Sequence, residues 1–309
     1  MAETKYRLVT RADFDGVVAG GLLIELGLID EVVFAEPKEM QDGKVAVTGN
    51  DITTNLPYVE GVHLCFDHHL SETVRVGARE NHIIEAGAPS AARVIYNYYG
   101  GKKAFPSIPE DLIEAVDKAD SAQYSEEDIL APAPWTLLNF MLDPRTGLSR
   151  FGHFDISNHQ LMKDMMIYCR HHPVEEILKI PDVEQRLHLY EEHEEAAEMQ
   201  ITRCATVHDK LVIVDLRKEE TVYAGNRFMV YAIFPACNIS IQVLPHEGGE
   251  VTVLATGKSI LNRTSKTHIG PLMLEYGGGG HDAAGTCRIA NADVDRVLKE
   301  LTQRINADG

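Results

Sequence analysis

No two cysteines in this chain stand in C-x-x-C spacing: the five, Cys65, Cys169, Cys204, Cys237 and Cys287, are scattered. That excludes zinc-ribbon and thioredoxin-like chemistry and fits a reduced, cytoplasmic compartment. The start of the chain has no basic segment followed by an apolar stretch, so no signal peptide is expected. No apolar run is long enough to span a bilayer, and there is no internal repeat or low-complexity tract. Positive charge is scarce, with 29 Lys and Arg against 47 Asp and Glu and a net charge of −18. Such an exterior disfavours long duplex nucleic acid, which is held through basic patches. A small anionic substrate stays open, because a metal ion or an arginine can invert the sign inside a cleft.

What is present describes a globular chain, 44% hydrophobic and 25% charged over 309 residues, enough for two domains. Tyr6 to Thr10 reads as a strand, followed by Arg11-Ala12-Asp13-Phe14-Asp15-Gly16 and an apolar run from Val17 to Leu28. Strand, turn and apolar helix make the first half of a βαβ unit. Glu31 to Ala35 and Val45 to Thr48 are further strand candidates, the second running into Gly49-Asn50-Asp51. Val62 to Phe66 is an apolar strand that stops in Asp67-His68-His69. Helices are expected from Pro89 to about Tyr99 and from Pro109 towards Asp120-Ser121. The acidic stretch from Val183 to about Thr202 reads as a polar helix between compact regions. Beyond it, Leu211–Leu216, Phe228–Phe234, Ile239–Leu244 and Val251–Ala255 read as strands. A short helix at Ile269–Tyr276, the run Gly277-Gly278-Gly279-Gly280-His281, a strand at Thr286–Ile289 and a last helix complete the chain. The expected fold is α/β: an N-terminal parallel-sheet domain over 1–182, a helical linker over 183–206 and a smaller α+β domain over 207–309.

Ionisable side chains at the end of a buried strand sit where α/β proteins build their sites, and imidazole with carboxylate suits Mn²⁺, Zn²⁺ or Fe²⁺. A surface histidine pair after an edge strand is the plain alternative for His68 and His69. Asp13 and Asp15 are alternate residues in one turn, and two such carboxylates repel unless a cation or proton lies between them. One of them is accounted for equally well as a helix N-cap. The four glycines beside His281, with Arg263, Lys266 and His268 near in sequence, read as an anion clamp in an acidic protein, or else as a flexible loop.

The ordered set Thr10 to Gly16, Asp51, Asp67-His68-His69, Asp120 and Gly277 to His281 resembles the DHH phosphoesterases over nearly the whole chain. It is most similar to the branch of nano-RNases, 3′-phosphoadenosine-5′-phosphate phosphatases and exopolyphosphatase-like proteins. The resemblance implies a parallel-sheet DHH domain, a helical linker and a DHH-associated domain, with substrate in the cleft between the domains. It further implies that Asp15, Asp51, His68 and Asp120 ligate one metal, usually Mn²⁺, with Mg²⁺ or another divalent ion as alternatives. Asp13 would serve a second metal, with Asp51 and Asp120 bridging. His69 would contact the scissile phosphate and Asp67 would orient the histidines. Asp117 competes with Asp120, but Asp120-Ser121 fits the family pattern better. Gly277, Gly278, Gly279, Gly280, His281, His268 and Arg263 would bind the rest of the substrate.

Arg11 departs from that pattern, standing where the family has a histidine, and a guanidinium cannot ligate a metal. Three readings follow: one metal with Arg11 supplying the missing charge, two metals with the second held weakly, or binding without hydrolysis. The activity implied is metal-assisted hydrolysis of short oligonucleotides or nucleotide phosphates, with His69 and Arg11 stabilising phosphoryl charge. Exopolyphosphatase-like action and a nucleotide or phosphate sensor are the alternatives. A homodimer is compatible with the sequence, and no membrane partner is expected.

Overall fold

The computed structural model describes residues 4–246 and 248–309. The chain forms two compact units, one running to Gln123 and resuming over Pro132–Leu189, the other built from Tyr124–Ala131 and Tyr190–Gly309. The helix Pro181–Cys204 carries the chain from the first unit into the second. Among the described residues no helix is long and apolar enough to cross a membrane.

The first unit is built on five strands, β1 (Tyr6–Thr10), β2 (Ile29–Phe34), β3 (Asp51–Thr54), β4 (Leu64–Asp67) and β5 (His82–Ile84). They lie in the order β2-β1-β3-β4-β5, and every pairing is parallel. Parallel sheets are covered on both faces, so the middles of the central strands are apolar or β-branched: Leu8, Val9, Ile52, Cys65 and Phe66 are buried. The helix Phe14–Glu25 buries Phe14, Val17, Val18, Ala19, Leu22 and Leu23, as expected of a helix apolar on most faces. Each of these side chains except Ala19 contributes about 1.5–3 kcal/mol by leaving water. This helix packs closely on Asn158–Tyr168, and a methyl group at Gly20 would fall 2.7 Å from the Met166 sulfur.

Val45–Thr48 is not a strand. The strand in this region is β3, six residues further on, and Thr48 instead closes the turn that leads into it. Both stretches are β-branched, so propensity alone did not separate them. Pairing did, because Ile52, Thr53 and Thr54 match β1 on one side and β4 on the other.

The second unit holds β6 (Ala205–His208), β7 (Leu211–Asp215), β8 (Ile239–Pro245), β9 (Val251–Lys258), β10 (Gly279–Gly280) and β11 (Ala284–Ala290). Their order is β10-β11-β9-β8-β7-β6, antiparallel except between β7 and β8. The helices Ile269–Glu275 and Val294–Asp308 place Ile269, Leu272, Met273, Val297, Leu301 and Ile305 in one core with Ile239, Ile241 and Leu254 of the sheet. Phe228–Phe234, expected as a strand, contains the helix Met229–Ile233. A continuous apolar run carries no period to distinguish the two, and here Asn226 starts the turn by accepting from Phe228 N–H at 3.0 Å. The architecture is α/β with a parallel sheet in one unit and a mixed sheet with helices in the other.

Candidate active site

The carboxyl ends of β1, β3 and β4 lie side by side in the sheet. Thr54 Oγ1 donates to Thr10 Oγ1 at 2.7 Å, which ties the ends of β1 and β3 together below the loops that follow. In the first loop Asp13 caps the helix Phe14–Glu25, accepting from Gly16 N–H at 2.9 Å. Gly16 is required there because a methyl group would stand 2.0 Å from the Arg11 carbonyl. The turn is thereby tight enough to hold two carboxylates and one guanidinium within a single bend.

Asp15 is buried and accepts from Ala91 and Ala92 N–H at 3.0 and 2.8 Å, at the start of the helix Ala91–Tyr98. That helix terminus favours negative charge. Even so, burial, Asp120 and Asp13 push the Asp15 pKa well above the usual carboxylate range, against the pull of His68. Asp120 is the last residue of the helix Glu110–Asp120, where the helix dipole adds to the negative potential. Asp117 is occupied elsewhere, bonding Ser90 Oγ at 2.7 Å and Arg93 Nε at 2.8 Å.

His68 follows β4. Its Nδ1 lies 3.1 Å from the Ala88 carbonyl, so Nδ1 carries a proton and Nε2 turns to the acids. Nε2 is 2.9 Å from Asp120 Oδ2, within ion-pair range but without the alignment of a hydrogen bond. Burial opposes the imidazolium, yet Asp120 and Asp15 outweigh it and hold the His68 pKa at about 9. Ligand atoms of Asp15, His68 and Asp120 all lie within 4.8 Å of one another, and no other such trio occurs among the described residues.

This donor set fits a divalent cation. Two carboxylates and one imidazole are ligands of Mn²⁺, Fe²⁺ or Zn²⁺. The separation of His68 from Asp120 is close to the ~3.0 Å between adjacent ligands of an octahedral ion with bonds of ~2.1 Å. A proton on His68 and a raised Asp15 pKa are what such a cluster adopts when protons alone must balance its charge.

Asp67 is fully buried, and its Oδ1 accepts from His68 N–H at 2.8 Å and His69 N–H at 3.2 Å, and meets His69 Nδ1 at 2.7 Å. With Nδ1 committed to Asp67, His69 presents Nε2. The rigid Asp67 frame therefore turns two consecutive histidines in different directions.

Asp51 is not part of this cluster. It is the first residue of β3 and pairs in register with Arg7, at the amino edge of the sheet. Arg7 Nε and Nη2 donate to its two oxygens at 2.6 and 3.0 Å, and Thr48 N–H donates at 2.6 Å. Burial works against its charge, but Arg7 and Thr48 hold the Asp51 carboxyl below its ordinary range. Three strand residues, about 10 Å, separate it from the other edge. The residue that emerges from β3 at the carboxyl edge is Asn55, in the left-handed region at φ 55°. Its Nδ2 lies 3.5 Å from both Asp13 oxygens, and its Oδ1 is buried without a partner. Asn55 ends the β-branched run Ile52-Thr53-Thr54, which is the signal that placing the strand correctly would have exposed. Arg11 Nε stands 3.3 Å from Asp13 Oδ2, so a guanidinium and an amide flank that carboxylate.

In the second unit the glycine run forms β10 rather than an open loop. A methyl group at Gly278 would fall 2.0 Å from the Thr286 carbonyl, and Gly279 and Gly280 pair with Thr286 and Gly285 of β11. Gly277 adopts a left-handed turn at φ 75° before it. His281 N–H donates to Ala284 O at 2.7 Å, and Asp282 binds Lys258 Nζ at 2.7 Å and also the His268 ring. Arg263 is exposed, with Nε donating to Ile260 O at 3.0 Å. Lys258 and Asp282 were not anticipated from the sequence.

Searches against protein-family models and against curated proteins found no match. Among solved structures, the chain is similar to the pGpG-specific phosphodiesterase PggH from Vibrio cholerae. Identity is 54% and TM-score 0.86, covering 99% of this chain and 100% of that one. It shares its fold with RecJ of Thermus thermophilus, solved with Mn²⁺, at 11% identity and TM-score 0.56, covering 99% of this chain and 52% of RecJ. CDC45 of Entamoeba histolytica is also similar in fold, at 8% identity and TM-score 0.53, covering 98% of this chain and 95% of CDC45. The chain belongs to the DHH phosphoesterases and is an enzyme of that family.

Proposed function

We propose that this protein hydrolyses the phosphodiester of a short oligonucleotide, a dinucleotide such as pGpG, with one divalent cation, preferably Mn²⁺. The observation that carries this reading is the trio Asp15, His68 and Asp120 at the carboxyl edge of the parallel sheet. The 54% identity to a pGpG-specific phosphodiesterase supports the substrate class.

Asp15, His68 and Asp120 hold the cation, which when bound polarises a phosphoryl oxygen and acidifies a water. His69, fixed by Asp67, directs Nε2 at the scissile phosphate, and as the imidazolium it donates to an oxygen that gains charge in the transition state. Arg11 and Asn55 occupy the surroundings of Asp13 that a second cation would need. The guanidinium brings positive charge there and cannot itself ligate a metal. In the second unit, Gly277 to Gly280, His281, His268 and Arg263 are the residues that the family resemblance assigns to substrate, and Asp282 joins Lys258 to the His268 ring.

The test is a substrate panel with Mn²⁺: di- to pentanucleotides, 3′-phosphoadenosine-5′-phosphate and polyphosphate. Preferential cleavage of dinucleotides is the expected result. Binding without release of mononucleotide from any member would overturn the reading in favour of a sensor.

A further inference from the structure

We infer that His82 is a positioning residue for the reaction: through an internal water on the sheet face behind the site, it holds the second oxygen of Asp67. This rests on the reading above, in which Asp67 sets His69 against the scissile phosphate.

The strands bring the two residues together. In the parallel pairing of β4 with β5, Cys65 stands opposite His82 and Asp67 opposite Ile84. Side chains alternate along a strand and partners in register share a face, so Cys65, Asp67, His82 and Ile84 point to one side of the sheet. Two residues along β4 and one strand spacing put the Asp67 and His82 Cα atoms about 8 Å apart, within reach of a carboxylate and a ring that share one water. The packing agrees. The His82 ring lies 5.1 Å from that of Tyr58, which packs with Cys65, whereas Phe66 and Ile83 belong to the core on the opposite side. Thr53 of β3 stands opposite Cys65 and adds a hydroxyl to the same row.

Four buried atoms on this face form no hydrogen bond: Asp67 Oδ2, both His82 ring nitrogens and Thr53 Oγ1. Only eight such side-chain atoms occur among the described residues, so half of them are gathered on three neighbouring strands. Buried polar atoms are nearly always bonded, and a cluster of them marks a place for water. The other polar groups around Tyr58 and Cys65 are already committed. Glu72 accepts from Tyr58 N–H at 3.0 Å and Arg75 Nε at 2.8 Å, Tyr58 Oη donates to Asn81 at 3.1 Å, and the Cys65 thiol meets the Leu56 carbonyl. That leaves His82 and Thr53 to serve Asp67. Burial, with Arg75, holds the His82 pKa down against the pull of Asp67 and Glu72, so the ring is neutral, with one N–H and one lone pair. A water that donates to Asp67 Oδ2 and accepts from this N–H satisfies both, and Thr53 Oγ1 is a third partner.

The effect falls on His69. All three protein bonds of the Asp67 carboxylate, to His68 N–H, His69 N–H and His69 Nδ1, are made by Oδ1. A carboxylate held by one oxygen can still swing about it and carry the His69 ring along. A bond at Oδ2 fixes its plane, and with it the direction of His69 Nε2. A side chain that merely filled space beside Tyr58 would be served by phenylalanine, without burying two polar nitrogens.

The experiment compares full-length wild type with His82→Phe and His82→Gln. It measures kcat and KM on pGpG with Mn²⁺, metal content, thermal melting, and ring ¹⁵N shifts in ¹⁵N-histidine-labelled protein with diamagnetic Mg²⁺. In wild type, the His82 ring should be a neutral tautomer with a hydrogen-bonded nitrogen; two unbonded nitrogens overturn the inference without any variant. For His82→Phe, which keeps a ring against Tyr58, kcat should fall about tenfold, as when a partner behind a site histidine is removed. KM and metal content should match wild type, melting should be no lower, and the His69 shifts should move. His82→Gln, whose amide also bonds water, should recover most of the rate and return those shifts towards wild type. Activity of His82→Phe within twofold of wild type overturns the inference, as do unmoved His69 shifts. A glutamine variant no better than phenylalanine overturns it too, and so does a rate that falls only in step with bound metal or folded fraction. If wild type leaves pGpG intact, yet the His69 shifts move in His82→Phe and return in His82→Gln, the phosphodiesterase reading fails and the His82 assignment stands.

Discussion

Replacing Asp51 by alanine should weaken the fold and leave the chemistry alone. The carboxylate receives Arg7 at 2.6 and 3.0 Å, Thr48 N–H at 2.6 Å and Thr48 Oγ1 at 3.2 Å. Arg7 is 30% exposed, so its ion pair contributes about 1 kcal/mol once solvent screening is allowed for. The charge-assisted bond from the Thr48 backbone contributes about 1.5 kcal/mol. The sum, about 2–3 kcal/mol, is smaller than the 5–15 kcal/mol typical of a folded domain, so the variant should remain folded at 25 °C. Because the folded-state pKa of Asp51 is depressed, its contribution is fully present above the unfolded carboxylate pKa of about 4. It is lost as pH falls through the lower, folded value. Urea unfolding of wild type and Asp51→Ala at pH 7 should therefore differ by the full amount, and the gap should narrow under strongly acidic conditions. Turnover and metal content at pH 7 should match wild type. A variant with normal stability that had lost its metal or its activity would refute the placement of Asp51 at the amino edge.

Three further outcomes are expected. Asp120→Ala should remove a ligand of the proposed cation, lowering turnover by at least ~10²-fold and metal content to near zero; intact turnover would sink the metal assignment. Wild type should bind one Mn²⁺ per chain by elemental analysis, and Arg11→His combined with Asn55→Asp should raise this towards two, because both changes supply ligands beside Asp13. Two tightly held ions in wild type would contradict the one-cation reading. Gly278→Ala should destabilise the protein by about 1–3 kcal/mol through overpacking against the Thr286 carbonyl, visible as a lower melting temperature; unchanged melting would argue against a tight β10–β11 contact.

Much of the site was legible along the chain because its parts are local. Asp13, Asp15 and Gly16 belong to one turn, and Asp67, His68 and His69 to one strand end, so spacing alone kept them together. Between Asp117 and Asp120 the family pattern favours Asp120, and in the fold Asp117 bonds Ser90 and Arg93. The glycine run was read as an anion clamp, and its tight pairing with β11 gives those glycines a packing reason as well.

By itself the sequence determined the class of fold, the family resemblance and the turn and strand-end motifs, since these follow from short-range periodicity, capping and spacing. Only the tertiary structure decided which end of β3 faces the site. Val45–Thr48 and Asp51–Thr54 have similar β propensity, and the choice is made by hydrogen bonds to β1 and β4, which are distant in sequence. That one choice moved Asp51 to a structural ion pair with Arg7 and put Asn55 beside Asp13.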